Sequence, residues 1–339
     1  MATLLKLIRC QLLACACTVL FAGHVSQAAT SLAPFAGELK GQAPAPAEPL
    51  TLWYRQPATQ WTQALPLGNG KQGAMMFGGV DSEVICLNES TLWSGGPYSP
   101  ENPDSLAALP QVRQLLWDQQ FKDAENLITQ KMMAKPATEA AFQPVGDILF
   151  SFPKVATAEN YHRELNLKTA TALSQFAFDG VTYMRELFCS GPDNVIVMRL
   201  TASKPGMINF KMSMQTGEPS PQSDGTADTL IVNGNNRPFN GNGVNVPAAL
   251  KYQVRAKILH TGGTLAKAAR DSLPPAPTAA GGRGGRGAGP QSTQIPVEYT
   301  MENADSATIL MASATSYKSY KDTSGDPNAL AAAIIDQAA

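Results

Sequence analysis

The chain has 339 residues, 44% of them apolar and 16% charged, with a formal net charge of −1. Such a composition excludes general disorder and leaves room for one large β domain or two ordinary domains. The charge balance gives no sign of a nucleic-acid partner, and no two of His24, His162 and His260 sit at metal-ligand spacing, so neither a metal nor another cofactor is implied.

Residues 1–28 read as a signal peptide. Lys6 and Arg9 give a positive start, Leu12 to Ala22 an apolar stretch, and Ser26-Gln27-Ala28 a small-residue cleavage site. The apolar stretch is too short to span a bilayer, so export to the periplasm or the exterior is expected, with no membrane contact after cleavage. Leu13-Ala14-Cys15 offers lipidation as a weaker alternative. Cys10, Cys15 and Cys17 fall inside this peptide, which leaves Cys86 and Cys189 in apolar runs, read as two buried thiols rather than a disulfide.

Residues 29–49, rich in Ala, Pro and Gly, read as a linker. Order is expected from Leu52-Trp53-Tyr54. Ala74 to Phe77 and Val84 to Leu87 read as a hairpin turning through Gly78-Gly79. Between 103 and 134 the apolar spacing becomes helical, with a break at 118–120 and Pro110 suited to a first turn. Strand patterns return at 148–152, 173–178, 183–189, 195–201, 208–214 and 251–259, with Asp179-Gly180 as a hairpin turn. The stretch 274–290 is Pro- and Gly-rich and reads as a flexible loop. Its Arg283 and Arg286 are too few for RNA binding. Further strands are expected at 297–301 and 307–312, and a helix starts near Asn328. The fold class is therefore mainly β: a large antiparallel β-sandwich over residues 50–325 with a short helical insertion.

No phosphate loop, zinc motif or nucleophile elbow is present. The densest chemistry lies in Leu87 to Pro97. Asn88, Glu89 and Trp93 there are of the types that bind sugars, by amide and carboxylate contacts to hydroxyls and by an aromatic face. A purely structural reading is also open: Trp93 in the core, Glu89 capping a turn, Gly95-Gly96 shaping a loop. Glycoside cleavage needs two flanking carboxyl groups. Glu89 and Asp147 are the acids in the least ordinary settings, and their spacing does not mark them as a pair.

An ordered set of motifs is similar to the N-terminal domain of glycoside hydrolase family 95, the α-L-fucosidase and α-L-galactosidase family. They are Leu52-Trp53-Tyr54, Trp61 to Gly70, Gly73-Ala74-Met75, Leu87 to Pro97, Gln143 to Asp147, Tyr161 to Leu165 and Tyr183 to Glu186. Ala304-Asp305, Thr315-Ser316-Tyr317 and Gly325-Asp326-Pro327 complete the series. The resemblance spans about residues 50–330. It implies a supersandwich followed in full-length members by an (α/α)₆ barrel that carries the catalytic groups of an inverting hydrolysis. Residues 326–339 would then begin the link to a barrel missing from this chain. The resemblance implies a fucosylated oligosaccharide or polysaccharide as partner and no catalytic residue within the chain; Asn88, Glu89 and Trp93 would approach the barrel mouth. A non-catalytic sugar-binding or scaffold module is the alternative, and a disaccharide-phosphorylase sandwich a third.

Overall fold

The computed structural model describes residues 31–217, 221–241, 244–269 and 293–339. The signal peptide expected at residues 1–28 and the loop expected at 274–290 lie outside the described residues. The strands are β1 (Glu38–Lys40), β2 (Thr51–Tyr54), β3 (Leu65–Gly68), β4 (Gln72–Met76), β5 (Ser82–Glu89), β6 (Gly146–Ser151), β7 (Thr157–Asn166), β8 (Thr171–Phe178) and β9 (Val181–Ser190). They continue as β10 (Val195–Ala202), β11 (Ile208–Thr216), β12 (Gln222–Gly225), β13 (Thr229–Asn235), β14 (Phe239–Gly241), β15 (Val244–Val246), β16 (Lys251–Ala269), β17 (Thr293–Gln294) and β18 (Val297–Thr315). The helices are α1 (Ser105–Trp117), α2 (Phe121–Lys131) and α3 (Pro327–Ala338).

Sixteen strands form one hydrogen-bonded sheet, with the main path β1-β7-β8-β9-β10-β18-β11-β6-β5-β4-β3. Among the described residues all strand pairings are antiparallel except β1 with β7. The mainly β sandwich expected from the sequence is present, but its two layers are halves of one curled sheet. A single core joins them: Met76, Ile85, Leu87 and Ile148 from one half meet Leu187, Ile196 and Met198 from the other.

β18 makes the connection between the halves. Its first part pairs with β11 and its second part with β10, while β16 runs along its other edge. The pairing of β16 with β18 is irregular at Thr261/Gly262. Gly262 and Gly263 both have a φ of +66°, and a Cβ on Gly263 would lie 2.3 Å from the Glu302 carbonyl oxygen. Only glycine fits there, and such a bulge lets a long ribbon bend and twist from one layer into the next.

Several expectations are corrected. Residues 31–49 are laid against the sheet: β1 pairs with β7, and Leu32 and Ala43 are buried. Small residues gave a linker composition, but Ala43 fits close packing because it is small. Pro110 lies inside α1, which starts at Ser105. The preceding Leu-Ala-Ala-Leu supplies good helix formers, and the surface helix tolerates the missing N–H. The separate strands expected at 297–301 and 307–312 are one strand, because the polar residues between them sit on a ribbon that still pairs with β16. Cys86 is buried, Cys189 is half-buried, and no disulfide joins them.

α3 is capped by Asp326, whose side chain accepts from the Asn328 and Ala329 N–H groups, with Pro327 in the first turn. Ile335 packs on Val195, Leu310 and Ala312. The helix thus closes over β18 and β16, with β10 at its margin.

Candidate functional site

β5 runs out of the core at Glu89, where the chain must turn. Glu89 is 1% exposed, and its Oε2 accepts from the Thr91 N–H at 2.8 Å and the Thr91 hydroxyl at 2.6 Å. Burial raises its pKa, and the bonds from Thr91 and the nearby Lys71 oppose that rise. Thr91 in turn bonds Thr315 Oγ1 of β18. Leu92 is buried in the main core. Glu89 therefore caps the turn from inside, and its carboxylate has no open approach for a sugar.

Trp93 does the opposite. It is 43% exposed, and its indole N–H donates to the Ser90 carbonyl at 3.0 Å. Its ring meets Phe142 edge to face, with centroids 5.5 Å apart and planes at 74°. Phe142 is itself 39% exposed. The core reading of Trp93 fails: Leu92 takes the inward position, and the next residue must point out. Asn88 is half-buried and lies opposite Gly73 in the β4–β5 ladder.

The loop is pinned from three sides. Ser94 and Ala141 exchange hydrogen bonds, and Gln143 N–H donates to the Leu92 carbonyl. Asn236, 4% exposed, donates to the carbonyls of Trp93 and Gly95 and accepts from the N–H groups of Ala249 and Leu250. Gly95 has a φ of +77°, and a Cβ on Gly96 would lie 2.5 Å from that of Ala249. The expected loop-shaping role of Gly95-Gly96 follows from this close packing. A preformed loop holds its aromatic pair without an ordering cost on binding.

Beneath the loop, Leu92, Gln143, Asn235, Arg237 and Tyr252 border a recess of about 10 Å³, room for one water. It adjoins an open polar hollow of about 560 Å³, bordered by Gln222, Asn233, Asn235, Lys251 and Asn328. The hollow is large enough for a sugar unit, and its lining offers amide donors and acceptors. Asp147 is not among the residues bordering either space: it is 8% exposed, and Gln215 Nε2 donates to it at 2.9 Å. Among the described residues no group of three His, Cys, Asp or Glu is placed to hold a metal ion.

The sequence did not single out Phe142 or Asn236, and it held Thr91 within the Leu87 to Pro97 cluster without a role of its own. Phe142 directly precedes the Gln143-Pro144 motif, and that neighbourhood was the only available signal. Asn236 lies 143 and 141 residues from Trp93 and Gly95, a separation that no local pattern bridges.

Other motif residues turn out to hold the frame. The Asn69 side chain links the β3–β4 turn to Ser190 and Asn194, and Gln72 Oε1 accepts from Ser313. At the far end of β5, Glu83 is fully buried and accepts from the N–H groups of Phe77, Gly78 and Val84. Tyr161 donates to the Gly78 carbonyl, Arg185 to those of Gly79 and Val80, and Arg163 to those of Gln56 and Gln63. The 77–84 turn thus has its buried backbone groups satisfied by side chains.

Residues 52–320 match the family model described as glycosyl hydrolase family 65, N-terminal domain. Alpha-L-fucosidase 2 of Arabidopsis thaliana is 34% identical over 216 residues, which is 61% of this chain and 24% of that protein. A probable alpha-fucosidase A of Aspergillus niger is 32% identical over 203 residues, 56% of this chain and 25% of that protein. The chain spans about a quarter of the length of these curated relatives. A putative kojibiose phosphorylase from human microbiome aligns in structure with a TM-score of 0.40 and 8% identity, over 86% of this chain and 36% of that one.

Proposed function

Because the chain belongs to the family of glycosyl hydrolase family 65 N-terminal domains, we propose that it serves as the N-terminal domain of an exported α-L-fucosidase-like glycoside hydrolase acting on fucosylated glycans. Relatives named as α-fucosidases match it, in line with the resemblance to family 95.

In this reading the domain contacts sugar and does not cleave it. The observation that carries the division of labour is the contrast at the end of β5. Trp93 and Phe142 face solvent on a rigid loop, while Glu89 and Asp147 are buried and hydrogen-bonded inside the domain. An inverting glycosidase sets a general acid and a general base roughly 6.5–9.5 Å apart across the scissile bond, with space for a water. Glu89 capping a turn and Asp147 beneath Gln215 do not meet that need. The proton-handling pair then belongs to a catalytic domain beyond the described sandwich, and the Trp93 loop walls part of its sugar pocket. The aromatic faces pack on sugar C–H surfaces, and the amides of the neighbouring hollow meet hydroxyls.

The exposed aromatic pair equally favours a second reading, a sugar-binding module that works without catalysis. The coding DNA downstream of Ala339 separates the two: a barrel-coding region favours the first, its absence the second.

Calorimetric titration of the purified chain with a fucosylated oligosaccharide tests the sugar contact. Saturable binding is expected, weakened at least tenfold by Trp93→Ala, with the fold unchanged because that side chain is exposed. Equal binding by the native chain and the variant contradicts the proposed role of the loop.

A further inference from the structure

β5 spans eight residues, so its two ends lie roughly 25 Å apart at about 3.3 Å per residue. The Trp93 loop follows one end. At the other end the core opens into a cavity of about 260 Å³. Phe152, Phe176, Phe178 and Tyr183 wall it, and Leu200 is among its buried lining. Phe176 and Tyr183 stack with centroids 5.4 Å apart.

One cation borders this apolar space. Arg185 is 4% exposed, and its guanidinium lies 3.6 Å from the centroid of Phe152. It donates to the carbonyls of Gly79 and Val80, two of the five N–H groups that an arginine carries. Among the described residues no carboxylate makes an ion pair with it. Two acids act on it from beyond ion-pair distance, Glu83 foremost: Asp81 takes Lys154 at 2.7 Å, and Glu83 spends Oε1 on three backbone N–H groups while its buried Oε2 has no hydrogen-bond partner among the described residues. With Asp81 paired to the exposed Lys154, two buried cations (Arg163 and Arg185) face one further buried carboxylate, Glu83. Burial also pushes the Glu83 carboxyl up to about 7, which widens the deficit of negative charge at neutral pH. A buried cation without a carboxylate contact is costly, and a planar bidentate anion is its natural complement.

We infer that this cavity is a binding site for a small carboxylic acid with an aromatic or apolar body, its carboxylate on the Arg185 guanidinium and its body among the Phe and Tyr rings. An apolar cavity of 150 Å³ admits benzene, so 260 Å³ suits a body and head of roughly ten heavy atoms. The site is separate from the Trp93 loop and does not depend on the sugar-binding reading.

The test uses the purified chain and two probes of equal shape, 3-phenylpropionate and its neutral amide, 3-phenylpropionamide. Calorimetry is expected to show saturable one-to-one binding of the acid, at least tenfold tighter than the amide. Val155→Trp, at a half-buried position on the cavity wall packed with Phe176, Phe178 and Tyr183, puts bulk into the apolar end of the space and is expected to weaken the acid at least tenfold. If that variant does not fold, the comparison of acid with amide on the native chain decides alone. No saturable binding of the acid by the folded chain, or equal affinity for acid and amide, overturns the proposal.

Discussion

Single residues set the two ends of this molecule, and each makes a measurable commitment. Burial lifts Glu83 from 4.5 to about 7, against the pull of Arg185 and three backbone N–H groups. The folded state therefore holds this proton more tightly than the unfolded chain. Its contribution to stability is complete below about 4.5, shrinks as pH rises, and is lost above about 7. Denaturant midpoints of the native chain and of Glu83→Gln, compared from pH 5 to 8, are expected to show a steeper fall with rising pH in the native chain. Parallel curves contradict this. Asn236 makes four hydrogen bonds that pin the Trp93 loop, so Asn236→Ala orphans buried backbone groups and is expected to destabilise by roughly 2–4 kcal/mol in urea unfolding. At this scale the sequence was half legible. A carboxylate two residues before a threonine is a readable turn cap, and Glu89 is one. The outward turn of Trp93 follows from Leu92 filling the core, which is a tertiary fact.

Elements were most legible where local chemistry decides them. Asp179 and Gly180 both have positive φ, as a two-residue hairpin turn requires, and that dipeptide announced the β8–β9 hairpin. Asp326-Pro327 announced α3 in the same way. Asp326→Ala is expected to cost about 1 kcal/mol, because two N–H groups at the helix start lose their acceptor. β7 was absent from the strand pattern because a bulge between Glu159 and His162 breaks its alternation and one inward position is the charged Arg163. β16 was read only to Leu259, since Gly262 and Gly263 look like an end when they are a bulge within a longer strand. Gly263→Ala is expected to destabilise by more than the ~1 kcal/mol of an ordinary glycine exchange, because its Cβ would enter the Glu302 carbonyl. A variant as stable as the native chain would show that the bulge relaxes freely.

Most of the described strands belong to one curled sheet, with the Trp93 loop and the Arg185 cavity at opposite ends of β5. Composition and strand spacing made the β-sandwich class readable, because many short apolar runs with turn residues between them have few other solutions. That a single sheet supplies both layers was not readable, since it depends on β18 changing partners midway. The Trp93 loop was singled out by its residue types, whereas the Arg185 cavity is assembled from six separate strands and turns, of which only the stretch from Tyr183 carried a motif. The central claim is that this sandwich presents sugar-contacting groups while its own singled-out acids are locked in structural roles. Incubating the purified chain with a fucosylated oligosaccharide and measuring free fucose tests it most directly. No release above the blank is expected from the native chain or from Glu89→Gln. Release by the native chain that disappears in Glu89→Gln would contradict it.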